Sequence, residues 1–294
     1  MEVLAAQVIN GLSLGSIYVL LVTAFNLLLL VAMIVHFSFP QVVVFSMYAA
    51  WIALKFTGGS FLAACAAAVG VSIAINCISA PLFRKVSGNR GEVDINSTMV
   101  MSLGIGMILT EALSHGFNSG RPVSFGDAIP LGAPLLRVGL IVFLDSQLCV
   151  IAVATLAVIA FFLLLYRSGA GRAFRAIAED PVGARLAGIP IRRTGMASFA
   201  LAGVMGGVTA VLMAMLLGSA FPRLGEQVAL KVLAISIIAG MGHLAGGLAV
   251  GLLLGILEAV VQGYVGGSWS NAIAFAALLA VMLTRPKGLF GSRV

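Results

Sequence analysis

The sequence predicts an all-α, polytopic integral membrane protein with about 8–9 transmembrane or re-entrant helices, built as a single transmembrane domain over residues 1–294. Three observations carry this. The chain is 61% hydrophobic and only 9% charged, against about 25% charged for a soluble domain. Several apolar runs reach the roughly 20 residues that cross a bilayer as a helix, and no soluble core in a chain of this length needs so much apolar surface. The basic residues are also gathered rather than spread. Arg84, Lys85 and Arg90; Arg167, Arg172, Arg175, Arg185, Arg192 and Arg193; and Arg285, Lys287 and Arg293 make up 12 of the 17. That is a positive-inside pattern, which places all three clusters on the cytoplasmic side. The net charge of +7 is therefore topological, and no nucleic-acid partner is expected. A transmembrane barrel would show short alternating segments, and none are seen.

The candidate spans are 11–35, 39–55, 60–83, 97–117, 140–166, 194–217, 228–243, 245–266 and 268–284. An even number of spans separates each basic cluster from the next, as shared sidedness requires. Three spans precede the first cluster, which puts the N-terminus outside. The opening "MEVLAAQVIN" lacks a positive n-region and a small-residue cleavage site, so no removable signal peptide is expected. The first apolar run is interrupted at "IVHFSFPQVV", residues 34–43, by His36, Ser38, Pro40 and Gln41, and then resumes in a segment short enough to be re-entrant. Cys65, Cys77 and Cys149 stand singly in apolar segments, with neither disulfide nor metal spacing. Residues 118–137 and 218–227 read as ordered outer loops fit to receive a delivery protein or to serve as connectors.

A second interruption lies within 234–255, where Gly240 and Gly242 crowd His243. Gly/Pro-interrupted segments in the two halves of a transporter point to its solute site. Broken backbone at membrane depth is tolerated only where protein buries it or it lines water. Loops at the membrane surface would look the same in sequence, and both readings stand at this point. Ionisable residues within spans are costly and face the protein interior or water. Glu111 and Asp145 read as interfacial. Glu258 lies deeper, either bonded to a neighbouring helix or beside the passage. Gly247, Gly251 and Gly255 form a small-residue stripe suited to close helix packing.

Residues 166–195 are too ordered for a linker. In "GRAFRAIAED", Ala173, Phe174, Ile177 and Ala178 share one helical face, while Arg172, Arg175 and Glu179 share another. Asp180 suits the N-cap of a second short helix, with Pro181 in its first turn and Gly188 and Pro190 closing it. Made of Gly, Ala and Arg rather than Leu and Trp, this module is poor at burying in lipid and better suited to a groove on a soluble partner. The chain has no GxxxxGK[ST] phosphate loop, so any ATP hydrolysis belongs to other subunits.

These residues resemble a known family. "NGLSLGSIYVLLVTAFNLLLLVAMI" is similar to the opening helix "NGL-x-LGS-x-YAL" of permeases in bacterial ATP-binding-cassette importers for branched-chain, hydrophobic amino acids. "GRAFRAIAEDPVGARLAGIPIRR" resembles that family's cytoplasmic pattern "GRA-x-RA-x-A-x-D … A-x-L-x-GI", and "GGLAVGLLLGILEAVV" and "RPKGLFG" also fit. The likeness covers nearly the whole chain. It implies an importer permease fold in the bacterial cytoplasmic (inner) membrane, with no cofactor bound by this chain. ATP and Mg would sit on two partner ATPase subunits. A second permease subunit, different rather than identical, would complete the pathway, and a periplasmic or lipid-anchored solute-binding protein would deliver the solute. The loop at about 167–193 would couple to the ATPases through Gly171, Arg172, Phe174, Arg175, Ala178, Glu179 and Asp180. The chain departs from the family where "INFAHGE" becomes "VHFSFPQ" and "LGGIGSIPGA" becomes "AGMGHLAGG". Both departures fall in the interrupted segments. The candidate pathway residues are therefore His36, Ser38, Phe39, Gln41, Gly240, Gly242, His243 and Glu258. The expected solute is a branched-chain amino acid, with urea, short amides or small organic acids as the alternative.

Two other classes fit less well. An ion-coupled secondary transporter would place carboxylates at the breaks, and only Glu258 lies deep. An intramembrane enzyme needs a nucleophile–base set or a metal cluster, and the histidines and carboxylates show no such spacing.

Overall fold

The computed structural model describes residues 2–86, 95–126, 134–138, 141–266, 269–285 and 288–290; Arg90, Lys287 and Arg293 lie outside them. The element order is α1 (Glu2–Ala32), α2 (Phe39–Phe56), α3 (Phe61–Val86), α4 (Ile95–Gly116), β1 (Val123–Ser124), β2 (Pro134–Val138), β3 (Ile141–Leu144), α5 (Asp145–Arg167), α6 (Gly169–Glu179), α7 (Pro181–Leu186), α8 (Ile191–Leu217), β4 (Ser219–Ala220), α9 (Leu224–Ala239), α10 (Leu244–Tyr264) and α11 (Ser270–Thr284). Among the described residues seven helices, α1 to α5, α8 and α10, are long and apolar enough to cross a membrane. The apolar α9 and α11, of 16 and 15 residues, are shorter. Together these nine match the predicted count, and α6 and α7 form the short pair in the basic loop.

Three boundaries differ from expectation. Helix α1 begins at Glu2 rather than at 11. The span predicted from 140 starts only at Asp145, because Ile141–Leu144 pairs antiparallel with Pro134–Val138 as a hairpin. A short apolar run such as "IVFL" does not by itself distinguish strand from helix. The span predicted over 228–243 is α9, four residues earlier. A turn from Leu224 N–H to Phe221 O starts it, and Gly240, at φ +95°, stops it.

The core is organised around α1, which packs on α10, α8, α5 and α9. Glycines allow the closest approach: a β-carbon on Gly255 would collide with the backbone of Gly15, and one on Gly11 would lie 2.5 Å from Ile256 Cα. The predicted stripe of Gly247, Gly251 and Gly255 is this contact, facing Val22, Val19 and Gly15. A second glycine seam joins α8 to α3, with Gly203 and Gly207 against Ile73 and Val69. Within buried α1, the hydroxyls of Ser13, Ser16 and Thr23 donate to carbonyls four residues back, which satisfies them in an apolar interior, whereas Asn26 Nδ2 is buried with no hydrogen-bond partner among the described residues.

The two ends of the bundle differ. One end carries the C-termini of α3, α5 and α11 and the N-terminus of α8, with Arg84, Lys85, Arg167, Arg192, Arg193 and Arg285, and the short helices α6 and α7. At the other, β1 pairs antiparallel with β4, so the two predicted outer loops meet. Trp51 Nε1 donates to Ser124 O (3.1 Å) and Tyr48 Oη to Ala220 O (3.4 Å), tying that pair to α2.

Candidate functional site: two interrupted segments, a buried ion pair and a basic helix pair

The first break, residues 33–38, is inside the protein. Met33 adopts φ +55° at the end of α1. The chain reverses through a turn closed by Phe39 N–H to His36 O (3.1 Å), and α2 begins at Phe39, with Pro40 tolerated in its first turn. Ser102 of α4 stitches the turn: its Oγ accepts from Phe37 N–H (3.1 Å) and lies 3.2 Å from Val35 O. His36 and Ser38 are fully buried. Ser38 Oγ lies 3.1 Å from His36 Nδ1, and the imidazole is walled by Phe83 (4.9 Å between ring centres), Phe199 (5.8 Å) and Phe39 (6.3 Å). His36 Nε2, Ser72 Oγ and Asn76 Oδ1 are buried with no hydrogen-bond partner among the described residues. Phe199 stands eight residues into α8, about 12 Å from its basic end at 1.5 Å per residue. The break is thus at depth, where irregular backbone persists because protein surrounds it.

Gln41 closes the upper side of the break. Its amide nitrogen, turned toward the turn, reaches Phe37 O (2.8 Å) and Ser38 O (3.3 Å). Glycines from two other helices flank it. A β-carbon on Gly106 would lie 3.3 Å from Gln41 Cδ, and one on Gly225 would lie 2.9 Å from Gln41 Cα.

The second break lies at the basic end and on the surface. Gly240 and Gly242, at φ +95° and +83°, form the turn between α9 and α10, and Met241 and His243 are exposed. His243 is the N-cap of α10, its Nδ1 accepting from Gly246 N–H at 2.8 Å. The chain's later segment folds back here. Leu289 N–H and Phe290 N–H donate to Ile238 O (2.7 Å) and Ala239 O (3.2 Å), and Phe290 stacks on His243 (5.7 Å). Residues from "RPKGLFG" and "AGMGHLAGG" are therefore one structural unit. Of the predicted residues, His36, Ser38, Phe39 and Gln41 cluster together, while Gly240, Gly242 and His243 lie apart from them. No hydrogen bond or ring contact joins the two histidines among the described residues.

Glu258 occupies a third place, buried between α1, α9 and α10. Lys231 pairs with its Oε1, Tyr18 Oη donates to its Oε2 (2.7 Å), and Lys231 Nζ also donates to Tyr18 Oη (3.1 Å). One layer nearer the basic end, Ser236 Oγ donates to Asn26 Oδ1 (2.6 Å). Sequence reasoning missed Lys231. The signal was present, because it is the one charged residue inside the predicted span 228–243.

The basic loop forms two helices as expected. Ser168 caps α6 by accepting from Gly171 N–H (3.0 Å), and Asp180 caps α7 through Val182 N–H (2.9 Å). A β-carbon on Gly171 would collide with the carbonyls of Leu164 and Leu165, so only glycine lets α6 fold back under α5. Phe174 and Ile177 are buried and seat α6 on α1, α5 and α8. Gly171 and Phe174 thus face inward and position the module, whereas Arg172, Arg175, Glu179 and Asp180 are exposed and Ala178 half-buried. Arg175 lies over Tyr166, 5.1 Å from the ring centre, and Val182 and Leu186 stand out from α7 at 67% and 85% exposure.

The family described as branched-chain amino acid transport system, permease component, matches residues 7–282. The permease protein BraD of a high-affinity branched-chain amino acid transport system in Pseudomonas aeruginosa is 27% identical, over 97% of this chain and 95% of its own. LivH, the corresponding permease protein of Salmonella typhimurium, is 27% identical over 97% and 94%. The solved structure of PsaBC from Streptococcus pneumoniae in complex with Fab superposes with a TM-score of 0.49 at 14% identity, covering 95% of this chain and 91% of that one.

Proposed function

Because this chain belongs to the family of branched-chain amino acid transport permeases, a multi-pass protein of the inner membrane, we propose that it forms half of the translocation pathway of an ATP-driven importer. A second, different permease subunit supplies the other half. Two ATP-binding-cassette subunits bind ATP and Mg and hydrolyse the nucleotide, and a solute-binding protein delivers the solute to the end that carries the β1–β4 pair. The permease itself performs no covalent chemistry.

The observation that carries this reading is the α6–α7 module. Its apolar side is sunk into the bundle through Phe174 and Ile177, while a charged side and two large apolar residues, Val182 and Leu186, project from the basic end. A pair of short helices anchored in this way transmits displacement rather than merely connecting spans. When the ATPase pair closes on ATP, α6 moves with it, and α5, α8 and α1, on which it rests, rock with it.

The solute is a branched-chain amino acid, as in the names of the relatives. The chain reads "VHFSFPQ" and "AGMGHLAGG" where the family it resembles reads "INFAHGE" and "LGGIGSIPGA", and that favours, as a second reading, another small solute such as urea, a short amide or a small organic acid. The test is a mild-detergent pull-down of the tagged chain from its native membrane, with partners identified by mass. Two ATPase subunits and a second permease are expected. Repeated recovery of the chain alone, under conditions that keep a known importer intact, would overturn ATP-driven import in favour of a secondary transporter.

A further inference from the structure

Residues 218–227 belong only in part to an outer loop. After β4 the chain dives, and Gly225 packs on the backbone of Gln41, which packs in turn on Gly106. Gly106 is midway along the 22-residue α4, so the first turn of α9 lies about 15 Å from either end of that helix. Leu224, Gly225 and Val228 face inward there, and Arg223, Glu226, Gln227 and Leu230 are exposed. This places an arginine, a carboxylate and an amide on the outside of the isolated chain at membrane depth. Lipid cannot be what they meet, since charges within spans face protein or water.

Neither Arg223 nor Glu226 has an ion-pair partner among the described residues. Among the described residues the ion pairs are His115–Glu111 and Lys231–Glu258, although positions three apart on a helix are close enough to pair. Lys231 is closed off with Glu258 inside the bundle, whereas Arg223, just before α9, and Glu226, in its first turn, leave one positive and one negative group exposed three residues apart. We propose that this pair is a zwitterion-reading station of the passage. The Glu226 carboxylate takes the ammonium group of an α-amino acid, the Arg223 guanidinium takes its carboxylate, and Gln227 lies alongside. This rests on the importer reading above and narrows it, because an organic acid would leave one of the two charges unanswered, and urea or an amide both.

The test uses the complete complex in proteoliposomes, with Cys65, Cys77 and Cys149 replaced by alanine. Wild-type uptake of leucine is measured first; its absence would overturn the amino-acid reading on which this one rests. With that uptake intact, Glu226→Cys is expected to react with a charged, membrane-impermeant methanethiosulfonate, and leucine is expected to slow the reaction. Glu226→Gln and Arg223→Gln should each lower kcat/KM for leucine about tenfold, the loss of one charge-assisted hydrogen bond, while the subunits still copurify. An inert thiol, a thiol whose reaction leucine does not change, or a thiol exposed only after the second permease is removed would overturn the station, the last by showing a subunit contact. If Glu226→Cys does not assemble, Gln227→Cys on the same face is read by the same criteria.

Discussion

Lys231 and Glu258 show how much a single side chain can hold in a membrane interior. Their side chains are 12% and 3% exposed, so removing one partner strands the other as a buried charge. Lys231→Met should cost about 3–5 kcal/mol of stability, and Lys231→Met with Glu258→Leu should recover most of it; thermal unfolding in detergent checks both. An additive double variant would show that the pair is not a closed unit. Lys231 was legible as a lone cation in an apolar run, but Tyr18, 240 residues from Glu258, was not, since nothing local records a partner so distant. His36 was legible as an interruption, whereas its enclosure by Phe83 and Phe199 depends on two other helices. If the first break lines the passage, His36→Ala and Gln41→Ala will change the uptake rate while leaving ATPase assembly intact. Unchanged kinetics in both would place the passage elsewhere.

Among the elements, α6 and α7 were the most legible because their signals are local: amphipathic spacing, the Asp180 cap, Pro181 and the left-handed Gly188 all lie within a few residues. The pairing of β2 with β3 was not, because it is decided between the two strands rather than along either one. Neither was the start of α9, where Gly225 packs closely on Gln41 of a distant helix. Arg175→Glu and Glu179→Lys should uncouple ATP hydrolysis from uptake without unfolding the chain, and normal coupled uptake in both would dismiss α6 as the coupling element. Gly171→Val should act differently, by lifting α6 from Leu164 and Leu165. It should lose copurifying ATPase even though no exposed residue has changed, and full recovery of ATPase would show that the seat of α6 is not critical.

At the scale of the molecule, glycine seams bring α1 onto α10 and α3 onto α8, beside a core of large buried side chains such as Phe39, Tyr48 and Phe83. In lipid, where apolar burial does not drive helices together, close backbone approach and polar pairs supply the adhesion. Gly255→Leu should therefore part α1 from α10 and reduce folded protein in fluorescence-detected size exclusion, whereas Gly104→Leu, with open space around it, should not; equal behaviour of the two would refute the seam. The stripe at 247, 251 and 255 could be read from sequence, but its partner helix could not. That partnership has a consequence for how the chain is made. Helix α1 enters the bilayer first, and its surface at Gly11 and Gly15 is matched only when α10 is synthesised, long after. Until then the α10-facing surface of α1 stays unfilled even after α5 and α8 have packed on its other sides, and Lys231 enters the bilayer ahead of the Glu258 that neutralises it. Premature termination anywhere between α1 and α10 leaves a product with an unfilled groove along its first helix, the kind of defect that membrane quality-control proteases remove.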